Sequence, residues 1–326
     1  MKKKIKKTST KLVYASEFEI KTIIQKQLEV GQVHGKISSL AKEAENALKQ
    51  ITDFKKITFF SSEKKSFQFL SDYYQKKDPK KKIIYIGFPQ KISRPNFSYI
   101  YQLRGAKAFL SEKVKHVAVL IVDPLFLIQN SVDFVQRIES LRTICSGSGI
   151  PFLLDERRTI ARLHQKGLNF IFQFNADALL LGENLSHGIS FGALASSPDF
   201  FDVNFLPGTF APKAESLIAC NNIAKELIQR KSRFYTDWNA QSNAFCRSIN
   251  QKLKDDFPGK FINNFGSIFW LNNFGCNRAQ KKLIEGNILK GPESCFYLPP
   301  DLSEEERKEI ENKIVNLLSA KRKSAA

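Results

Sequence analysis

Short apolar runs alternate with segments of helical periodicity along residues 51–196. Six runs have the length of buried strands, and in chain order they are Ile57–Ser61, Lys82–Phe88, His116–Pro124, Ile150–Glu156, Ala176–Gly182 and Ile189–Ser196. Stretches such as SVDFVQRIESLRTICSGSG, with apolar residues at helical spacing, separate the earlier runs. Continuous apolar runs joined by helices are typical of parallel strands that are buried on both faces. The pattern predicts a doubly wound, mainly parallel α/β sheet.

The pattern changes after residue 207. A long helical stretch is predicted from about Pro212 to Asp255, with at most a local interruption around Tyr235–Asn239. The strand-like sequence GSIFWL follows within residues 260–272. We therefore predict an N-terminal helical segment (1–50), a large α/β domain (51–212), and a linking helix with a small C-terminal α+β subdomain (213–326).

The last predicted element is a helix over residues 301–320. Ser303 precedes three glutamates, which occupy the first helical turn. A serine at the N-cap and acidic residues in the first turn both stabilise a helix start. The sequence therefore places the beginning of this helix at Ser303.

Composition and net charge bear on whether the protein binds nucleic acid. The chain has 326 residues, a hydrophobic fraction of 42% and a formal net charge of +19. Much of the positive charge is lysine near the N-terminus and in residues 76–82, and no nucleic-acid-binding module accompanies it. We interpret it as a solvated surface, with no nucleic-acid partner. The alternative, docking on nucleic acid or anionic lipid, would show a steep salt dependence of binding.

Cysteine spacing and apolar run length bear on location. The five cysteines are widely spaced and form no CxxC or Cys/His cluster, which argues against a disulfide framework and against a metal site. No run has the length of a signal-peptide core or a membrane span. We expect a cytoplasmic protein with no membrane partner.

One segment carries a specific resemblance. From Asp155 the chain reads DERRTIARLHQKGLNF and continues to ADALLLGENLSHGISFGALASS. This frame resembles the active-site segment of the class III pyridoxal-phosphate (PLP) aminotransferases, whose glutamate-1-semialdehyde aminomutase branch has "DEV-x-TGFR", then "PDL-x-x-LGK", then "GGG-x-P-x-GA". Residues 57–86 can be laid without a gap on the segment from "VRFVNSGTEA" to "KIIKF", and GSIF at 266–269 resembles "GSMF". The resemblance implies a dimeric fold type I PLP-transferase with its active site at the subunit interface.

The resemblance also assigns the central catalytic position. In that frame the Schiff-base lysine follows the aspartate by 28 positions, which lands on Glu183. A carboxylate cannot form an imine, so the expected chemistry is contradicted. Asp155 matches the aspartate that pairs with the cofactor's pyridinium nitrogen, or it is a strand-end cap of the next turn. His187 matches the middle glycine of "GGG" and is either a proton-transfer base or a satisfied polar residue.

Other matched positions concern the cofactor's phosphate and ring. The family's "SGT" holds the phosphate at a helix start and aligns with Ser62, Glu63 and Lys64. The family's stacking aromatic aligns with Gln90, so the ring would lack its platform. Thr209 matches the threonine that contacts the phosphate from the neighbouring subunit. The resemblance begins near Ala15, which predicts that the family's preceding active-site wall is absent.

Two functional hypotheses follow from these matches. The first is a pseudoenzyme, retained as a binding, structural or regulatory partner in a homodimer or in a heterodimer with an active paralogue. The second is an enzyme that uses pyridoxamine phosphate or PLP non-covalently, with His187 or Glu183 as base. The resemblance thus implies PLP or pyridoxamine phosphate as cofactor, or none.

Overall fold

The computed structural model of the chain describes residues 22, 25, 34–88, 95–100, 110, 112–201, 212–230, 232–254, 261–271, 295–300 and 302–319. They fall into two compact units, one within Tyr14–Gln229 and the other within Arg230–Ala326. The predicted domain boundaries at residues 50 and 212 stay a prediction.

The described elements alternate between strand and helix through the first unit. Its helices are α1 (His34–Thr52), α2 (Glu63–Lys77), α3 (Pro124–Asn130), α4 (Phe134–Gly147), α5 (Gly167–Phe172) and α6 (Ala214–Gln229). Its strands are β1 (Lys56–Phe60), β2 (Lys82–Ile86), β3 (Phe97–Ile100), β4 (Val117–Val122), β5 (Phe152–Asp155), β6 (Ala178–Leu181) and β7 (Gly192–Ser196). The second unit contains α7 (Ser232–Lys252), β8 (Ile262–Phe265), β9 (Ile268–Leu271), β10 (Cys295–Tyr297) and α8 (Glu304–Ser319).

The seven strands form one mixed sheet in the order β1-β7-β6-β5-β4-β2-β3. Strands β3, β2, β4, β5 and β6 run parallel to one another, whereas β7 is antiparallel to both β6 and β1. Every residue of β4, β5 and β6 is buried, as expected for parallel strands covered on both faces. The predicted α/β sheet is confirmed, and all six apolar runs contain a strand.

Two features of the sheet differ from the sequence prediction. Strand β3 was missed, because the sequence FSYI is short and only its first residue is fully buried. The first apolar run was grouped with the parallel strands, but β1 is hydrogen-bonded to β7 and antiparallel to it. An edge strand and a parallel central strand have the same apolar pattern, so periodicity could not separate them.

The second unit is a small α+β structure. Strands β8, β9 and β10 form an antiparallel sheet, in which β9 is central. Phe269 of β9 stacks on Phe296 of β10 with ring centroids 5.0 Å apart. At the start of α8, Ser303 Oγ accepts from the Glu306 amide at 3.2 Å and the Ser303 amide donates to Glu306 Oε2 at 2.9 Å, which is a capping box. The predicted helix start is confirmed.

The predicted interruption around Tyr235–Asn239 is wrong. These residues lie inside α7, while α6 ends at Gln229 and α7 begins at Ser232. Tyr235 and Trp238 are both buried and their ring centroids are 6.0 Å apart. Trp238 Nε1 also donates to the Leu298 carbonyl at 2.9 Å. Tertiary packing of these two aromatic side chains therefore overrides their weak helix propensity.

None of the described helices is both long and apolar enough to cross a membrane.

Candidate functional site

Strands β5 and β6 bring the predicted site residues together. Asp155 is the last residue of β5 and is opposite Leu180 of the parallel strand β6. Glu183 is separated from the end of β6 by Gly182 and begins a short 3-10 turn, Glu183–Leu185. The carboxyl ends of adjacent parallel strands meet at one edge of a sheet, where open α/β folds place their ligand sites. The structure therefore places Asp155 and Glu183 at the same edge.

Asp155 is completely buried and fully hydrogen-bonded. Its Oδ1 accepts from Arg157 Nε at 2.7 Å and from the Arg157 amide at 3.3 Å. Its Oδ2 accepts from Arg157 Nη2 at 2.5 Å and from the Tyr85 hydroxyl at 2.8 Å. A carboxylate has about four acceptor positions. Four donors from the chain itself therefore use the hydrogen-bonding capacity of Asp155.

The protonation states at this edge follow from the same contacts. Burial alone would raise the pKa of Asp155, but the paired Arg157 guanidinium lowers it below its usual range. Burial would likewise lower the pKa of Arg157, and the Asp155 and Glu63 carboxylates raise it instead. Burial, reinforced by the Asp155 charge, raises the pKa of the Tyr85 hydroxyl well above its ordinary value. At neutral pH the group is an ionised Asp–Arg pair with a neutral tyrosine.

Glu63 joins this pair to the turn after β6. Its Oε2 accepts from Arg157 Nη1 at 2.8 Å, and its Oε1 accepts from the Glu183 amide at 3.0 Å. Gly182 makes room for the carboxylate, because a Cβ at Gly182 would lie 2.0 Å from Glu63 Oε1. The chain Asp155–Arg157–Glu63–Glu183 therefore connects β5, the start of α2 and the turn after β6.

The start of α2 is completed by its own side chains. Ser62 is the N-cap residue, and its Oγ accepts from the Lys65 amide at 3.3 Å. Glu63 is the first helical residue and places its carboxylate at the positive end of the helix dipole. The Lys64 side chain is exposed. At this helix start, where the resemblance implies a phosphate, Ser62 is thus a helix cap and Lys64 faces solvent, while the anion is Glu63.

Glu183 has a different electrostatic environment from Asp155. Its side chain is half-buried, and burial followed by repulsion from Glu63 raises its pKa to about 7, although Arg157 acts in the opposite direction. A carboxyl group with this pKa exchanges a proton near neutral pH.

His187 lies in the turn that follows and is buried. Its φ is 52°, in the left-handed region that favours glycine, which is the residue that the family's "GGG" has there. The Glu183 carbonyl accepts from the Gly188 amide at 2.9 Å, which closes the turn. The backbone therefore retains a glycine-type turn although the side chain has changed.

Further buried charges flank this group. Asp123, after β4, accepts from Arg158 Nη2 at 2.7 Å and caps α3 through the Leu125 amide at 3.0 Å. Glu156 is also buried, and burial raises its pKa to about 7. Its Oε1 accepts from the Asn169 amide at 2.7 Å. These contacts fix the loop between β5 and α5 that carries Arg157.

Comparison with known proteins gives the family context. No family model matches the chain. The chain is 24% identical over 195 residues to a glutamate-1-semialdehyde 2,1-aminomutase from Desulforapulum autotrophicum, a match that covers 56% of this chain and 45% of that relative. This chain therefore spans less than half the length of that curated relative.

Solved structures share the fold over nearly the whole chain. An omega-transaminase from Sphaerobacter thermophilus has a TM-score of 0.78 at 14% identity, covering 95% of this chain and 84% of that one. A transaminase with PLP bound has a TM-score of 0.77 at 17% identity, covering 96% and 85%. The chain resembles the class III aminotransferases and has the type I PLP-transferase fold.

The described residues do not fit the cofactor of this aminotransferase fold. A pyridinium N–H would need an acceptor on Asp155, and both oxygens already have two donors each. Glu63 brings a negative charge to the helix start where the resemblance expects a phosphate. Glu183, which the resemblance aligns with the Schiff-base lysine, carries no amine. The contacts of Asp155 and the charge of Glu63 therefore do not suit the pyridinium nitrogen and the phosphate that the resemblance implies.

Two of the matched positions cannot be placed. Thr209 and Gln90 lie outside the described residues. Over the described ranges, no group of three or more His, Cys, Asp or Glu side chains is arranged to hold a metal ion.

Arg157 and Tyr85 are the site residues that the sequence analysis missed. The signal was present in the aligned motifs: Arg157 stands at the valine of "DEV", and Tyr85 at the second lysine of "KIIKF". Arg157 is a basic residue two positions after the aspartate, and Tyr85 lies on β2, which β4 separates from β5. Both side chains donate to Asp155. An alignment shows that Arg157 and Tyr85 differ from the family's residues, but it does not show that both side chains lie within hydrogen-bonding distance of Asp155.

Proposed function

We propose that this chain is an aminotransferase-like pseudoenzyme that has no transaminase activity and acts as a binding, structural or regulatory partner. The observation that carries the proposal is the saturation of Asp155 by Arg157 and Tyr85. In PLP enzymes the cofactor supplies the chemistry, and the protein positions and tunes it. A fold whose cofactor-holding groups are engaged with one another keeps its architecture without the activity.

The cofactor proposal follows directly. Neither PLP nor pyridoxamine phosphate binds at this sheet edge in the manner of the family. Binding there would require Arg157 to leave a buried ion pair and Glu63 to leave the helix start. Breaking a buried pair by removing one partner costs ~3–5 kcal/mol, because it leaves an uncompensated charge.

We further propose a cytoplasmic dimer, either with a second copy or with an active paralogue. The resemblance supports this, because it implies a symmetric family dimer, and symmetric pairing is the commonest form of association. Light scattering of the purified chain at micromolar concentration tests it. A dimer mass supports the homodimer, a monomer that pairs with a co-purified aminotransferase supports the heterodimer, and a monomer with neither contradicts both.

One observation favours the alternative of an enzyme that binds its cofactor non-covalently. Glu183 is half-buried and has a pKa of about 7, which suits a general base at neutral pH. In this alternative, cofactor binding displaces the Arg157–Glu63 contact. The two proposals therefore differ in whether the wild-type chain binds pyridoxamine phosphate at all.

The test is titration of the purified chain with PLP and with pyridoxamine phosphate, followed by thermal shift and absorbance. We expect no saturable shift with either, whereas occupancy at a hundred times the dissociation constant would stabilise the chain by ~2.7 kcal/mol. Borohydride reduction after incubation with PLP, with peptide mapping, should label no residue stoichiometrically. A saturable shift with pyridoxamine phosphate supports the alternative, and stoichiometric labelling of one lysine at this sheet edge contradicts both proposals.

A further inference from the structure

Arg157 has the surroundings of a bound planar cation. Its guanidinium lies over the Phe67 ring, 4.6 Å from the centroid, and meets Asp155 through two nitrogens. The side chain is only 6% exposed. Aromatic stacking, a bidentate carboxylate and exclusion of water are the three elements with which proteins recognise delocalised cations.

Glu63 supplies the complementary anion. Its carboxylate lies at the start of α2 and contacts Arg157 Nη1 at 2.8 Å. Helix starts attract anions through the dipole and the first amides. One cation at the strand end and one anion at the helix start are also the two charges that a protonated pyridine ring and its phosphate would bring.

We propose that Arg157 and Glu63 are an internal substitute for a bound ring cation and its anionic group, so that this sheet edge is complete without a ligand. The proposal rests on the proposed absence of bound cofactor. Gly182 supports it, because only a residue without Cβ leaves space for the Glu63 carboxylate beside the Glu183 amide. Tyr85 supports it as well, because its hydroxyl occupies the remaining acceptor position of Asp155.

The substitute should be replaceable by a small molecule of the same chemistry. Arg157→Ala removes the guanidinium and leaves the buried Asp155 carboxylate without its cationic partner. We expect the melting temperature to fall by about 10 °C, the size expected for one broken buried ion pair in a domain of this class. Methylguanidinium at millimolar concentration should restore much of that loss saturably. Methylammonium, which has the same charge but is not planar, should restore less.

Arg142→Ala is the matched control. Arg142 also contacts a carboxylate through two nitrogens, both 3.0 Å from Asp177, but the side chains are 25% and 31% exposed. Water reaches the vacated place, so methylguanidinium should give no saturable response. Equal responses of the two variants, or equal rescue of Arg157→Ala by methylammonium, would overturn the proposal. An unchanged melting temperature in Arg157→Ala would overturn it as well.

A second variant keeps the test valid if Arg157→Ala does not fold. Asp155→Asn combined with Arg157→Ala removes both charges, so it should fold and should not respond to methylguanidinium. If the double variant also fails to fold, the charge match is not what Arg157 contributes and the proposal is overturned.

Pyridoxamine phosphate separates this inference from the proposed function. Binding of pyridoxamine phosphate to the wild-type chain would overturn the proposed function. Absence of a methylguanidinium response in folded Arg157→Ala would overturn this inference and leave the proposed function standing.

Discussion

The ends of β4 and β5 and the turn after β6 are adjacent, yet their carboxylates have opposite electrostatic surroundings. At the strand ends each buried aspartate has its own arginine, Asp123 with Arg158 and Asp155 with Arg157. In the turn, half-buried Glu183 is close to a second carboxylate, Glu63, and its pKa is raised to about 7. The charge of each of these aspartates is therefore balanced by an arginine, whereas Glu183 faces a like charge and titrates near neutral pH.

The largest effect on stability is expected when one partner of the buried Asp155–Arg157 pair is removed. Asp155→Ala leaves the buried Arg157 with Glu63 as its only carboxylate among the contacts described here. We expect a loss of ~3–5 kcal/mol in the free energy of unfolding, measured by urea denaturation. The control is Asp53→Asn, which removes the exposed pair with Lys166 and should cost below ~1 kcal/mol. Similar losses in both variants would mean that the strand-end pair is no more important than a surface pair.

An intermediate effect on stability is expected at Gly182, which lies between the end of β6 and the turn that contains Glu183. The φ of Gly182 is −144°, which alanine also adopts, so Gly182→Ala acts through the contacts of its Cβ, which would lie 2.0 Å from Glu63 Oε1 and 3.0 Å from Arg157 Cβ. We expect a cost of ~1–3 kcal/mol, as for overpacking elsewhere. In a Glu63→Ala background the same change should cost less, because the closer of these two contacts is gone. Additive losses in a double-mutant cycle would contradict the direct contact.

The smallest effect on stability is expected from Glu183, the half-buried carboxyl group in the turn after β6. The ordinary pKa of Glu183 is 4.5 and its pKa in the folded chain is about 7, so between these values the folded state binds more protons and rising pH lowers stability. Glu183→Gln removes this loss. We expect the variant to be more stable than wild type at pH 8, by less than ~1 kcal/mol after solvent screening, and equal to it at pH 4.

Glu139→Gln, at an exposed position of α4, is the control for that pH series and should show no such difference. Buried Glu156, whose pKa is also about 7, titrates in both proteins and cancels in the comparison. A Glu183→Gln variant that is equally stable or less stable at pH 8 would show that ionisation of Glu183 carries no folding cost.

The sequence predicted the sheet better than it predicted the site. The run that forms β4 is apolar at every position. Such a run is typical of a strand that is buried on both faces, so a central strand could be predicted from it. The signal for a helix start at Ser303 was likewise local, and that helix start was predicted correctly. The sequence allowed at most a local interruption of the helix around Tyr235–Asn239, and the helix is continuous there because Tyr235 and Trp238 are buried, Trp238 by contact with Leu298, which is distant in sequence.

The site was predicted in part. The matched positions Asp155 and Glu183 come together because they end adjacent strands, which the strand order determines. The pairing of Arg157 with Glu63 was not predictable, because these two side chains meet across 94 residues of sequence. Periodicity and local motifs contain no information about such a pairing.

Whether the chain's own side chains close this sheet edge can be tested with one variant. Glu183→Lys places an amine at the position that the resemblance aligns with the Schiff-base lysine, and it leaves Arg157 and Glu63 in place. With PLP added, we predict no visible Schiff-base absorbance, because Asp155 has no acceptor left and Glu63 repels the phosphate. Adding Glu63→Gly and Arg157→Val to Glu183→Lys should increase PLP binding. A stoichiometric yellow complex from Glu183→Lys alone would show that only the lysine had been lost, and would contradict the account.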